Sequence, residues 1–249
     1  MNPKNKGGMN RTTAPLTNVS LCEMALTKAM ERPNHLPGMI CFYGPSGWGK
    51  TTAALYVHLV NNAYYIACKD TWVRKSLLVS LLGDMGIPPK KSLWEMVDQV
   101  CEQLAKSRRP LIIDEMDKLL SKNAVELIRD IHDGSKATIL LIGEEKLPHK
   151  LMQWERFHGR ILDWVPAQPT DMDDARHLKG LYHPNLDVQD DLLERIVGES
   201  GGSARRVVVN LAKAEEIANK RGSNTIGMKE WGDEPFFTGD APQRSIPCR

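Results

Sequence analysis

Residues Gly44-Pro45-Ser46-Gly47-Trp48-Gly49-Lys50-Thr51 follow the spacing G-x-x-x-x-G-K-[ST], and further along Leu111-Ile112-Ile113 runs into Asp114-Glu115. The first pattern is suited to holding phosphate oxygens. Backbone N–H groups must approach them closely, and Gly44, Gly47 and Gly49 allow this because glycine has no Cβ and accepts positive φ. Lys50 can reach the β- and γ-phosphates of a nucleoside triphosphate, and Thr51 can ligate Mg²⁺. Pro45, Ser46, Trp48 and Thr52 complete the nucleotide-contacting set, Trp48 either stacking near the nucleotide or packing the loop. In the second pattern an apolar strand closes on a carboxylate, so Asp114 can hold Mg²⁺ through its water shell. Glu115 then stands where a carboxylate can polarise an attacking water, the alternative being that it only opens the next loop.

These residues need elements to place them. Residues 39–43 are apolar and read as a buried strand before the glycine loop, and 51–61 as the helix after it, whose N-terminus adds unpaired N–H donors. Further strands are expected at 63–67, 111–114, 137–142 and 161–165. Helices are expected at 19–32, with Asn18 or Thr17 as cap, and at 73–85, 92–106, 124–133 and 147–157. Such alternation predicts an α/β fold: a parallel sheet flanked by helices, with ligands beyond the carboxyl ends of its strands. After Pro166 and Pro169 the pattern becomes wholly helical, at 172–182, 187–199 and 204–220. The expected domains are a flexible N-terminal arm at 1–18, a nucleotide-binding core at 19–166, a helical lid at 167–231 and a flexible C-terminal tail at 232–249.

Composition narrows the function further. The chain has 249 residues and a net charge of only +2, so binding to nucleic acid would need a local basic patch. No apolar run approaches the roughly 18 residues of a membrane span, and no signal-peptide core is present, so a cytoplasmic protein without a membrane partner is expected. The five cysteines, Cys22, Cys41, Cys68, Cys101 and Cys248, form no C-x-x-C pair, and the seven histidines, including His149 and His158, show no metal spacing.

Together the two nucleotide motifs, the five strands and the helical lid resemble the AAA+ P-loop ATPases. Within them, residues 139–151, 154–161 and 201–207 resemble the ATPases that assist DNA transposition: phage Mu transposition protein B and the target-selector ATPases of transposons. The resemblance implies slow ATP hydrolysis with ATP and Mg²⁺, self-assembly into a ring or filament on double-stranded DNA, and delivery of that DNA to a transposase. It places Glu144 at the sensor 1 position after the fourth strand. A carboxylate there would be repelled by a triphosphate unless a cation or proton intervened, so a solvated turn residue is the alternative reading, and Glu145 has a weaker claim. It implies a trans-acting arginine at Arg160, with Arg156 close behind on the same face of one helix, and a lid arginine at Arg205, with Arg206 adjacent. DNA contacts map to Lys69, Thr71, Trp72, Arg74 and Lys75, and less directly to Lys90-Lys91 and to Lys106, Arg108 and Arg109. Alternatives are a helicase-loader or secretion-type AAA+ ATPase, or a P-loop small-molecule kinase.

Overall fold

The computed structural model describes residues 16–120 and 124–240. Most of the expected N-terminal arm, the last residues of the expected tail and Cys248 lie outside the described residues. Two compact units emerge, Thr17–Pro169 and a second built from Thr170 onward.

The first unit opens with α1 (Thr17–Met30), followed by β1 (Met39–Tyr43), α2 (Lys50–Val60), β2 (Tyr64–Ala67), α3 (Arg74–Asp84), α4 (Leu93–Ser107) and β3 (Leu111–Asp114). It continues with α5 (Asp117–Leu120), α6 (Ala124–Ser135), β4 (Ile139–Gly143), α7 (Leu147–Leu151), α8 (Glu155–His158) and β5 (Ile161–Pro166). All five strands are parallel, in the order β2-β3-β4-β1-β5. Strands buried on both faces are expected to be continuously apolar, as Leu111-Ile112-Ile113 and Ile139–Ile142 are. Alternate side chains serve opposite layers. Cys41, Ile66, Ile113 and Leu141 join a core with Leu77, Leu81, Met96, Val100 and Ile128 from α3, α4 and α6, while α1 and α2 pack together, α1 against β1 and β5 and α2 against β2, β3 and β4.

The ends of α4 show how local sequence sets an element. Ser92 and Glu95 form a reciprocal capping box, and Met96, Val100 and Leu104 recur every four residues on its buried face. Two expectations about helices are corrected. Asn18 is not a cap: α1 already begins at Thr17, and Asn18 lies buried in its first turn. The single helix expected over 147–157 is broken into α7 and α8. Leu147 and Leu151 share a helical face, but Phe157 is six positions beyond Leu151, about 240° around a continuous helix, and a break lets it reach the core.

The second unit contains α9 (Met172–Tyr182), β6 (Asp187–Val188), α10 (Asp190–Glu199), α11 (Ala204–Lys220), β7 (Thr225–Ile226) and α12 (Met228–Trp231). It is therefore not wholly helical, since β6 and β7 pair in parallel. Asp187, expected to start a helix, is in β6, and α10 starts only at Asp190. Residues 232–240, read from sequence as part of a tail, are fastened to α11. Asn210, fully buried, donates to the Phe237 carbonyl at 3.1 Å and accepts from its N–H at 2.8 Å. Phe236 stacks on Trp231 at 4.5 Å, and Lys213 donates to the Pro235 carbonyl at 2.7 Å.

Candidate nucleotide site

The glycine loop leaves the carboxyl end of β1, where Tyr43 pairs with Gly143 of β4. Gly47 and Gly49 have φ of 84° and 81°, conformations that a side chain would strain. Gly44 serves another purpose: a Cβ there would sit 2.9 Å from the Ala167 Cβ, so this glycine allows the segment after β5 to close on the loop. Lys50 opens α2 and donates to the carbonyls of Gly44 at 2.7 Å and Pro45 at 2.8 Å. Thr51 and Thr52 stand exposed in the first turn of the same helix, beside its unpaired N–H groups. Ser46 is exposed, and Pro45 and Trp48 are half-buried.

A residue with no place in the motif secures the loop. The Asn18 amide donates at 2.8 Å both to the Trp48 carbonyl and to the Gln168 carbonyl, and its oxygen accepts from the Gln168 N–H at 2.7 Å. Every polar position facing its neighbours is used, as a buried amide requires.

Asp114 closes β3 and is buried, accepting from the Glu115 N–H at 2.8 Å and the Tyr65 hydroxyl at 3.1 Å. Burial, reinforced by Asp114, pushes the Tyr65 phenol well above its usual range, so it stays a donor. Glu115 has φ 57°, an uncommon conformation for a non-glycine residue, and strain of this kind concentrates at functional sites. Its carboxylate lies 3.4 Å from Lys118. Glu144 follows β4, the strand between the loop strand β1 and the acid strand β3, and its side chain is exposed. Its N–H donates at 2.6 Å to Asp117, whose other oxygen accepts from Lys150 at 3.0 Å. Burial lowers the Lys50 pKa, and Asp114, Glu115, Glu144 and Asp117 all act to raise it. The loop ammonium thus sits in the field of four carboxylates from the ends of β3 and β4.

Among the described residues no cluster of three or more His, Cys, Asp or Glu side chains could hold a metal on its own. The oxygen donors Thr51 and Asp114 instead suit Mg²⁺, which commonly takes one or two protein ligands together with water and substrate phosphates.

Tyr65 and Asp117 carry no expectation from the sequence, and Asn18 only that of a cap. Asn18 has the signature of a helix cap, and Tyr65 that of an ordinary strand aromatic. Asp117 had a visible signal, a third acid in Asp114-Glu115-Met116-Asp117.

The two arginines of the α8 region differ in setting. Arg160 lies in the turn after α8, not on the helix, which corrects the expectation of a shared helical face. Its guanidinium holds Asp133 through two bonds, at 2.7 and 3.0 Å. Arg156 is exposed on α8. In the second unit Arg205 is exposed in the first turn of α11, while the Arg206 side chain lies against Gly201 and Gly239.

In the segment after β2, Lys69, Thr71, Arg74 and Lys75 are exposed. Trp72 packs partly on the core with the Lys69 ammonium 5.9 Å from its ring. The third basic cluster is largely occupied structurally: Lys106 pairs with Glu102, Arg108 closes α4 with φ 55°, and Arg109 stacks on Tyr64 and donates to the carbonyls of Asn62 and Ala63. No helix of the described residues is long and apolar enough to cross a membrane.

No curated protein matches the sequence. Among solved structures, the chain is similar to the Aeropyrum pernix ORC2 protein in its ADPNP-ADP complexes, with a TM-score of 0.65 at 17% identity, over 89% of this chain and 70% of that one. It is also similar to Aeropyrum pernix ORC1 in complex with DNA, with a TM-score of 0.61 at 17% identity, over 91% and 64%. A third is Drosophila ORC bound to DNA, with a TM-score of 0.58 at 14% identity, over 92% and 67%. The chain spans about two thirds of the length of these proteins, and at such identities the likeness speaks for the fold. Residues 34–151, holding both nucleotide motifs, match the family model of the AAA domain. With that match and these structural likenesses, the chain has the AAA+ P-loop NTPase fold.

Proposed function

We propose that this protein is an ATP-hydrolysing, DNA-engaging AAA+ ATPase of the loader or initiator type, in which bound ATP sets how long the protein occupies DNA. The observation that carries the reading is the placement of Lys50 at the head of α2 within the field of Asp114, Glu115, Asp117 and Glu144. Such an arrangement suits a Mg²⁺-bound triphosphate. The loop N–H groups and Lys50 take the phosphates, Thr51 and Asp114 hold the metal, and Glu115 accepts the proton of the attacking water. Mg²⁺ held by Thr51 and Asp114 would lower the charge that the carboxylates face. Arg156 acts in trans on a neighbouring copy, being exposed where Arg160 is engaged with Asp133. Arg205 is the lid arginine that responds to the nucleotide.

Two structurally similar proteins were solved with DNA, which supports double-stranded DNA as the partner. The exposed Lys69, Arg74 and Lys75 supply phosphate contacts without reading bases. ATP-dependent binding to duplex DNA of unrelated sequences, measured across salt concentrations, tests this reading. Arg74→Ala should weaken all duplexes alike and reduce the slope of log K against log salt by about 1. Base-specific or salt-insensitive binding would remove it. A second reading, target selection for a transposase, is favoured by the segments at 139–151, 154–161 and 201–207; retention of a transposase, but not a replicative helicase, by the ATP-bound protein on DNA would establish it.

A further inference from the structure

We propose that Asp117 is a two-armed positioning residue: its carboxylate ties the turn after β3 to the Glu144 backbone at the end of β4 and to Lys150 on α7, relaying the nucleotide state to the segment that carries Arg156. This rests on the nucleotide-site reading above.

Each arm has its own geometry. One oxygen accepts from the Glu144 N–H at 2.6 Å and the other from the Lys150 ammonium at 3.0 Å. The Asp117 side chain is itself only 10% exposed, while its partners Glu144 and Lys150 lie nearer the surface. Gly143 is what admits the carboxylate: a Cβ there would overlap the Asp117 oxygen and lie 2.5 Å from a Leu147 methyl. The turn is also pinned to β4 by the Met116 N–H, which donates to the Ile142 carbonyl at 2.9 Å. Residues 114–117 therefore form one short piece that bears the metal-binding acid at one end and the two-armed acid at the other. On the far side of Lys150, α7 is anchored by buried Leu147 and Leu151 and leads through a break at residues 152–154 into α8, which carries exposed Arg156. A shift of the acid turn on nucleotide binding then pulls on the end of β4 and on α7 together. Asp117 touches no reacting atom in this scheme.

Hydrogen exchange of the full-length chain, with and without Mg²⁺ and a non-hydrolysable ATP analogue, tests the relay. Wild-type protein should gain protection over 144–158 on binding the analogue. Lys150→Met, altered at a half-exposed position that spares the core, should bind the analogue within about twofold of wild type and lose the gain over 147–158. Asp117→Asn should lose it too, and the double variant should lose no more than either single one, since both cut the same route. Tight binding with unchanged exchange at 147–158 in wild type, or a full gain in Lys150→Met, would overturn the relay alone. Failure of wild type to bind the analogue would overturn the nucleotide-site reading with it.

Discussion

At the residue scale, the strongest chemical assignment falls on Glu115. A left-handed backbone at a glutamate is costly, and the turn keeps it while the neighbouring Asp114 is locked by Tyr65 and by the Glu115 N–H. The two acids are thereby held differently, one buried and hydrogen-bonded, the other exposed enough to meet water. Glu115→Gln keeps shape and removes the proton acceptor. ATP analogue affinity should stay within about twofold, while phosphate release falls by about 10²-fold or more. A variant that hydrolyses at the wild-type rate would withdraw the role from Glu115. The glycine loop between β1 and α2 was legible in the sequence because it is contiguous and each letter has its own steric or ionic reason. Asn18 and Asp117 were not, because their roles depend on groups far away in the chain: Trp48 and Gln168 for the first, Glu144 and Lys150 for the second. A helix-start asparagine reads as a cap until the tertiary structure gives it other partners.

Among the elements, the five strands and most helices could be read from apolar runs, capping residues and prolines, since those signals are local. The strand order could not, and it has chemical weight: inserting β4 between β1 and β3 puts Glu144 between the phosphate loop and the acid turn. The break between α7 and α8 was hidden because residues 147–157 look helical, and only the phase of Phe157 against Leu151 argues otherwise. α6 offers a titration test. His132 is buried, and its Nδ1–H donates to the Ala137 carbonyl at 2.9 Å. Burial lowers its pKa, with nearby Arg32 and Lys136 adding to the effect and the Ala137 hydrogen bond and Asp133 opposing it. Above the unfolded-state pKa of about 6.5, both states are neutral and His132 has no influence. Below it the unfolded chain takes up the proton first, so stability declines as pH falls from about 6.5 toward the depressed folded value. Urea midpoints for wild type should drop between pH 7.5 and 5.5, and the drop should be smaller in His132→Gln. Equal drops in the two proteins would remove the contribution.

For the molecule as a whole, the question is whether one copy suffices. A trans-acting arginine requires that active sites be shared, and mixing variants reads this out directly. Arg156→Ala subunits keep an intact phosphate loop, and Lys50→Ala subunits keep an intact arginine. Each alone should be nearly inactive, and the mixture should recover a measurable fraction of the wild-type rate on DNA, since such arginines contribute ~10³ or more in related NTPases. A mixture no more active than its parts would return catalysis to the single chain. Arg160→Ala serves as the contrast. Its pairing with Asp133 predicts a loss of stability before any loss of trans activation.

The fastening of residues 232–240 to α11 also bears on how the polypeptide can be trimmed or joined to a reporter. Cutting after Trp231 removes the Phe237 backbone that both donates to and accepts from the Asn210 amide, and also removes the ring stacked on Trp231. A fluorescent partner or affinity handle spliced in at Gly232 should therefore lower the melting temperature.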